Sequence, residues 1–128
     1  MVCLTHRPSS RWQTQVSDPS FPVSVQDGLT VITTPEEIDI SNAGLLREAL
    51  RFATVSGQPV IVVDMSGTEF CDSTGLNVLV RALGQAADVG SELRLVIGGP
   101  GLRRVLTVTG VAAMFHVYDT LGQALEAA

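Results

Sequence analysis

The residues whose types and spacing could do chemistry are concentrated in Phe70-Cys71-Asp72-Ser73-Thr74-Gly75-Leu76. Hydroxyls there stand between a carboxylate and a glycine, and the chemistry they suit is acceptance of a phosphoryl group. Leu76, Leu79, Val80, Leu83 and Ala87 follow at the spacing of a helix with one buried face. A helix is therefore predicted to begin at or just after Asp72, with Asp72 or Ser73 as its cap. A helix start carries partial positive charge and unpaired N–H donors, so it accepts a phosphate. Ser73 or Thr74 is the candidate phosphoacceptor. Gly75 reads as a residue that permits close packing at the helix start. Cys71 has no basic neighbour to lower its pKa and reads as a small buried hydrophobe.

Several elements must position this stretch. The run Val60-Ile61-Val62-Val63 lacks polar alternation, which marks a strand covered on both faces, as in a sheet with parallel neighbours. Upstream, Val23 and Val25 alternate before Asp27-Gly28, and Leu29, Val31 and Thr33 continue after it, the pattern of a hairpin with a tight turn. The polar loop Thr33 to Ser41 follows. Ser41 or Asn42 can cap a helix carrying Leu45, Leu46, Ala49, Leu50 and Ala53.

Downstream, Leu93 to Ile97 predicts a strand and Pro100 to Val108 a short helix with Leu102, Val105, Leu106 and Val108 inward. Met114 to Tyr118 predicts a last strand and Thr120 to Ala127 a closing helix. The fold class is α/β: a single domain over residues 21–128, an open mixed sheet of about five strands with about four helices in the order β-β-α-β-α-β-α-β-α. Residues 1–20, with Trp12 and Cys3 among them, show no sustained period and read as a mobile extension.

Composition narrows the function. The chain has 128 residues, 45% of them hydrophobic, enough for a core without metals or disulfides. Its net charge of −5, with no basic cluster, argues against nucleic acid or an anionic membrane as partner. All eight cationic side chains are arginines, so Schiff-base, P-loop and general-base lysines are excluded. Cys3 and Cys71 lack the spacing of a disulfide framework or zinc site, and no stretch has the pattern of a signal peptide or membrane span. A cytoplasmic protein is expected, with no metal.

Val60-Ile61-Val62-Val63-Asp64 followed by Phe70-Cys71-Asp72-Ser73-Thr74-Gly75-Leu76 resembles the phosphorylation segment of anti-sigma factor antagonists of the STAS domain family. Glu37-Ile38-Asp39 with Ser41 is similar to the family's acidic loop, and Leu106-Thr107-Val108-Thr109-Gly110-Val111 to a segment near its end. The resemblance covers the chain from about Val23 onward and implies partner switching. An anti-sigma factor with serine kinase activity binds the unphosphorylated antagonist and releases its sigma factor. Phosphorylation of the serine after the motif aspartate ends that binding, and a phosphatase restores it. By this carry-over the acceptor is Ser73, with Thr74 the runner-up, and the partner meets Glu37, Asp39, Asp72, Ser73, Thr74, Gly75 and Asn77. ATP belongs to the partner kinase, so the chain itself needs no cofactor and is not an enzyme. Glu36 and Asn77 stand where relatives commonly have glycine, which bears on the approach of the acidic loop and on partner choice.

A phosphate on Ser73 adds roughly −1.5 to −2 charge, locally favourable at a helix start by about 0.3–1 kcal/mol. Beside Asp72, and Glu37 and Asp39 if the family arrangement holds, it repels a partner fitted to the neutral serine. A loss of about 3–4 kcal/mol, some hundreds-fold in affinity, suffices for a switch. Competing readings are a hydrolase, a nucleotide-binding module and a STAS scaffold that is not phosphorylated. The first would need His116 as base, but no Gly-x-Ser-x-Gly elbow surrounds Ser73, and His116 reads as a satisfied structural histidine. The second would use Gly98-Gly99-Pro100-Gly101 as a phosphate nest, against the simpler reading of a tight strand-to-helix turn.

Overall fold

The computed structural model describes residues 13–15, 21–26 and 28–127. Strands are β1 Gln13–Gln15, β2 Val23–Gln26, β3 Leu29–Thr33, β4 Glu37–Ile38, β5 Val60–Met65, β6 Phe70–Cys71, β7 Glu92–Ile97 and β8 His116–Tyr118. Helices are α1 Ala43–Val55, α2 Ser73–Asp88, α3 Pro100–Val108 and α4 Leu121–Glu126, with a 3-10 turn over Val111–Met114.

The main sheet has the order β1-β2-β3-β5-β7-β8. Its first three strands pair antiparallel and the rest parallel. The helices linking parallel strands must cross over a face of the sheet, which is why β3, β5 and β7 alternate with α1, α2 and α3. The predicted order holds. Three short strands add to it: β1, inside the expected N-terminal extension, and β4 with β6, which form a separate parallel pair. Trp12, Cys3 and the turn residue Asp27 lie outside the described residues, while Gly28 takes the left-handed φ of 82° that the tight hairpin turn requires.

Both faces of β5 are covered, as its unbroken apolar run requires. Ile61 and Val63 join Ile32, Leu93 and Leu95 beneath α1, α2 and α3, whereas Val62 joins Val31 and Val96 beneath α4. On α2 the face turned to the sheet is Gly75, Val78, Leu79, Ala82 and Ala86, with Leu76, Val80 and Leu83 only half-buried and Ala87 exposed. The expected stripe is thus rotated toward the small residues, which let α2 lie close to the sheet. On α3 only Leu102 and Leu106 are buried, so the expectation for Val105 and Val108 is corrected: Val108 is 76% exposed. A helix this short has one inward position per turn.

On the α4 side, Arg94 is buried but partnered. Its Nε and Nη2 donate to the Glu92 carboxylate at 2.9 and 3.3 Å, and its Nη1 donates to the Ala124 carbonyl at 2.6 Å. That last bond ties the final turn of α4, whose carbonyls have no helical partner, onto the sheet.

Candidate functional site

The candidate site lies where β6 runs into α2. Asp72 is the N-cap: its Oδ1 accepts from the backbone N–H of Thr74 at 3.0 Å and of Gly75 at 3.1 Å, and from the Thr74 hydroxyl. The Thr74 hydroxyl, and then the N–H groups of Gly75, Thr74 and Ile40, hold the Asp72 carboxyl below its ordinary range against a smaller opposing desolvation. The cap therefore already occupies donors that were expected to welcome a phosphate. The two hydroxyls also differ. Ser73 is exposed and its hydroxyl makes no hydrogen bond among the described residues, whereas Thr74 is half-buried with its hydroxyl committed to Asp72.

Gly75 is buried against the strand pair. A Cβ there would stand 2.6 Å from Cys71 Sγ and 2.8 Å from Ile38 Cγ2. Gly75 thus permits the close packing expected of it, as a spacer that seats α2 on β4 and β6. Burial, and then the neighbouring Asp72 charge, push the Cys71 thiol up to about 12, in keeping with an inert core residue.

The acidic loop is held against this cap. In the strand pair Glu37 lies opposite Phe70 and Ile38 opposite Cys71, and the Asp72 N–H donates to the Ile38 carbonyl at 3.0 Å. Asp39 turns into its own loop, where Oδ1 accepts from the Ser41 N–H at 2.9 Å and its hydroxyl at 2.5 Å. Asn42 is the N-cap position of α1, but its side chain reaches backward: Nδ2 donates to the Glu37 carbonyl at 2.8 Å, and Oδ1 accepts from the Asp39 N–H at 2.9 Å. The structure thus brings Glu37, Asp39, Asp72, Ser73 and Thr74 to one end of the molecule. Exposed Asn77 lies one turn along α2.

Sequence reasoning missed the residues that brace this end. The Thr68 hydroxyl donates to the Pro35 carbonyl at 2.6 Å and accepts from the Thr34 hydroxyl at 2.5 Å, joining the exit of β3 to the loop before β6. The Glu36 carbonyl accepts from the Glu69 and Phe70 N–H groups at 2.8 and 3.2 Å. Glu36 thus holds the loop through its backbone and leaves its side chain exposed. Hydroxyls 34 residues apart leave no periodic signal; only the depth of Thr34 and Thr68 in the fold identifies them. Two exposed apolar side chains near the cap, Ile40 and Phe70, were also missed.

Other expectations resolve away from the site. His116 is exposed on the edge strand β8, which corrects its reading as a satisfied structural histidine. Gly98 abuts the Ser66 backbone, where a Cβ would stand 2.7 Å from the Ser66 carbonyl oxygen, and Gly99 is the extended N-cap of α3. Packing accounts for that glycine-rich turn. Among the described residues no grouping of His, Cys, Asp and Glu could hold a metal, and no helix is long and apolar enough to cross a membrane.

Comparison with known proteins fits this architecture. Residues 20–124 match the STAS domain family. The chain is 32% identical over 111 residues to the anti-sigma-F factor antagonist RsfB of Mycobacterium tuberculosis, covering 83% of this chain and 88% of that protein. It is 31% identical over 87 residues to the anti-sigma-B factor antagonist of Listeria monocytogenes, covering 68% of this chain and 76% of that protein. The crystal structure of an anti-sigma factor antagonist from Mycobacterium paratuberculosis superposes with a TM-score of 0.75 at 31% identity, over 86% of this chain and 96% of the other. With the capped helix, the two-residue strand pair and the sheet order all in place, this chain belongs to the STAS domain family.

Proposed function

We propose that the chain is an anti-sigma factor antagonist of the cytoplasm, switched by phosphorylation of Ser73. The observation that carries this reading is the contrast at the start of α2, where the Ser73 hydroxyl is exposed and unengaged while that of Thr74 is donated to Asp72. In the unphosphorylated state the chain binds an anti-sigma factor of the serine kinase type and frees its sigma factor. The kinase then transfers the γ-phosphoryl group of ATP. A bond forms between Ser73 Oγ and phosphorus, the bond to the β-phosphate oxygen breaks, ADP leaves, and the hydroxyl proton passes to a base on the kinase. A phosphatase reverses the modification by hydrolysis.

Binding ends because the new charge falls beside the Asp72 carboxylate, whose N–H partners are already used, and near exposed Glu37. An interface fitted to a neutral hydroxyl would then bury repelling charges, and a loss of about 3–4 kcal/mol, hundreds-fold in affinity, follows from such a mismatch. The fold persists because Ser73 contributes no buried contact.

Incubation with ATP and serine-kinase anti-sigma factors, followed by intact-mass measurement, tests the assignment. Wild type is expected to gain one phosphate and Ser73→Ala none. Equal phosphorylation of Ser73→Ala would sink the assignment and direct attention to Thr74. A wild-type chain that binds an anti-sigma factor but takes no phosphate from any of them would identify a scaffold instead of a switch.

A further inference from the structure

Beside Ser73, between the N-terminal halves of α1 and α2, runs an open groove of about 500 Å³. Buried Ala43 and Val78 lie at its base, Arg47 from α1 and Asn77 and Arg81 from α2 line it, and Ile40, 80% exposed, stands at its rim. Arg47 and Arg81 are exposed and enter no ion pair among the described residues, unlike Arg94 and Arg103. Arg47 folds back toward the start of its helix: its Nη2 lies 3.8 Å from where a Cβ on Gly44 would stand. A cation there adds to the positive end of the α1 dipole, and α1 has neither an acidic residue in its first turn nor a side-chain cap to offset it. The other flank of Ser73 carries Glu36, Glu37, Asp39 and Asp72. Around Ser73 the charged side chains are therefore divided by sign, with the guanidinium groups of Arg47 and Arg81 on the groove side.

We propose that this groove receives an amphipathic helical segment of the anti-sigma factor, with carboxylates opposite Arg47 and Arg81 and an apolar side chain packed on Ile40. The inference rests on the antagonist reading above and specifies the chemistry of the partner. Charge complementarity selects an acidic occupant, since the two guanidinium groups lining the groove have no carboxylate partner among the described residues. A cleft between two helices suits a third helix that places apolar and charged residues on adjacent faces. Exposed Ile40 at the rim supplies an apolar side chain for such a contact to bury. Asn77 lies along the groove wall between Thr74 and Arg81, where it selects among partners.

The test uses the full chain and whichever serine-kinase anti-sigma factor binds it, with Kd from calorimetry and kinetics of Ser73 phosphorylation. The double variant Arg47→Glu/Arg81→Glu is expected to raise Kd and the KM for phosphorylation by about ten- to thirtyfold with kcat within about twofold. Its affinity should lose most of the salt dependence seen in wild type, and Arg47→Lys/Arg81→Lys should retain most of the binding. Ile40→Ser should weaken binding by about tenfold. Unchanged melting temperatures show that these exposed substitutions leave the fold intact. Wild-type affinity and KM in both variants would overturn the groove assignment while leaving the Ser73 switch standing. A wild-type chain that binds an anti-sigma factor without phosphorylation removes the switch and leaves the groove to be judged by Kd alone. A chain that binds none overturns both. Sedimentation showing a wild-type dimer dissolved by the same substitutions would assign the groove to a second copy and refute the proposal.

Discussion

Gly75→Ala places a methyl group where the fold has no room. The added Cβ would meet Cys71 Sγ at 2.6 Å and Ile38 Cγ2 at 2.8 Å. Both neighbours are buried, and both belong to the strand pair that carries the acidic loop. Each contact must open by about 0.6–0.8 Å to become ordinary, a repacking that costs about 2–3 kcal/mol. The intrinsic helix preference of alanine over glycine returns about 1 kcal/mol. The net expectation is a loss of about 1–2 kcal/mol, or about 5–10 °C in Tm for a domain of this size. Urea denaturation followed by far-UV circular dichroism measures it. In a Cys71→Ala background the tighter contact is gone, so the loss caused by Gly75→Ala should shrink by at least about 0.5 kcal/mol. A Gly75→Ala protein as stable as wild type, or an effect strictly additive with Cys71→Ala, would refute the close-approach argument. Because the displaced strands carry Glu37 and lead into Asp72, binding of the anti-sigma factor should fall even at temperatures where the variant is fully folded.

Three further outcomes follow. Thr68→Val keeps the volume but leaves the Pro35 carbonyl without its side-chain donor and the Thr34 hydroxyl with only its longer bond to the Asp64 carbonyl, and should cost about 1–3 kcal/mol in urea denaturation. Asp72 has a carboxyl pKa lowered from 3.8 in the fold, so its stabilisation is complete above the pH where the unfolded carboxyl titrates and disappears as pH falls through the lower folded value. Denaturation series from about pH 6 to about pH 2.5 should therefore show a shallower acid-side decline for Asp72→Asn than for wild type; parallel curves would mean the carboxylate gains nothing from its bonds to Thr74 and Gly75. The Cys71 thiol, pushed up to about 12 and buried, should react with a thiol reagent near neutral pH only at the rate of unfolding, as read by peptide mapping that separates it from Cys3.

The elements visible in the sequence are those long enough to show a period. The apolar run of β5, the helical spacing in α1 and α2 and the Asp72 cap all required only local information, and the fold places each as that information implies. What stayed hidden depends on approach between elements. The buried face of α2 was misjudged by part of a turn because hydrophobicity favours Leu76, Leu83 and Ala87, while proximity to the sheet favours Gly75, Ala82 and Ala86, which have little side chain to exclude. The strand pair β4 and β6 has two residues a side and can show no alternation, yet it sets Glu37 and Ile38 beside the start of α2. Thr34 reads as loop polarity, and Thr68 gives no signal, until the fold buries them against each other.

The same distinction bears on the switch. A helix start met in sequence offers free N–H groups and so favours phosphate, but the folded cap has already given those of Thr74 and Gly75 to Asp72. A phosphate on Ser73 then gains less from the helix and meets the Asp72 carboxylate more directly than the sequence implied. The guanidinium groups near Ser73 lie instead along the groove, at Arg47 and Arg81. In the proposed switch, phosphorylation of Ser73 places negative charge beside the groove that the partner's carboxylates are proposed to fill. Repulsion between phosphate and those carboxylates would then act together with Asp72 to drive release. Arg47→Glu/Arg81→Glu should therefore reduce the difference in affinity between phosphorylated and unphosphorylated chains as well as the affinity itself, because a partner no longer held in the groove has less to lose. Equal phospho-discrimination in wild type and the double variant would place the whole of the switch at Asp72 and the acidic loop.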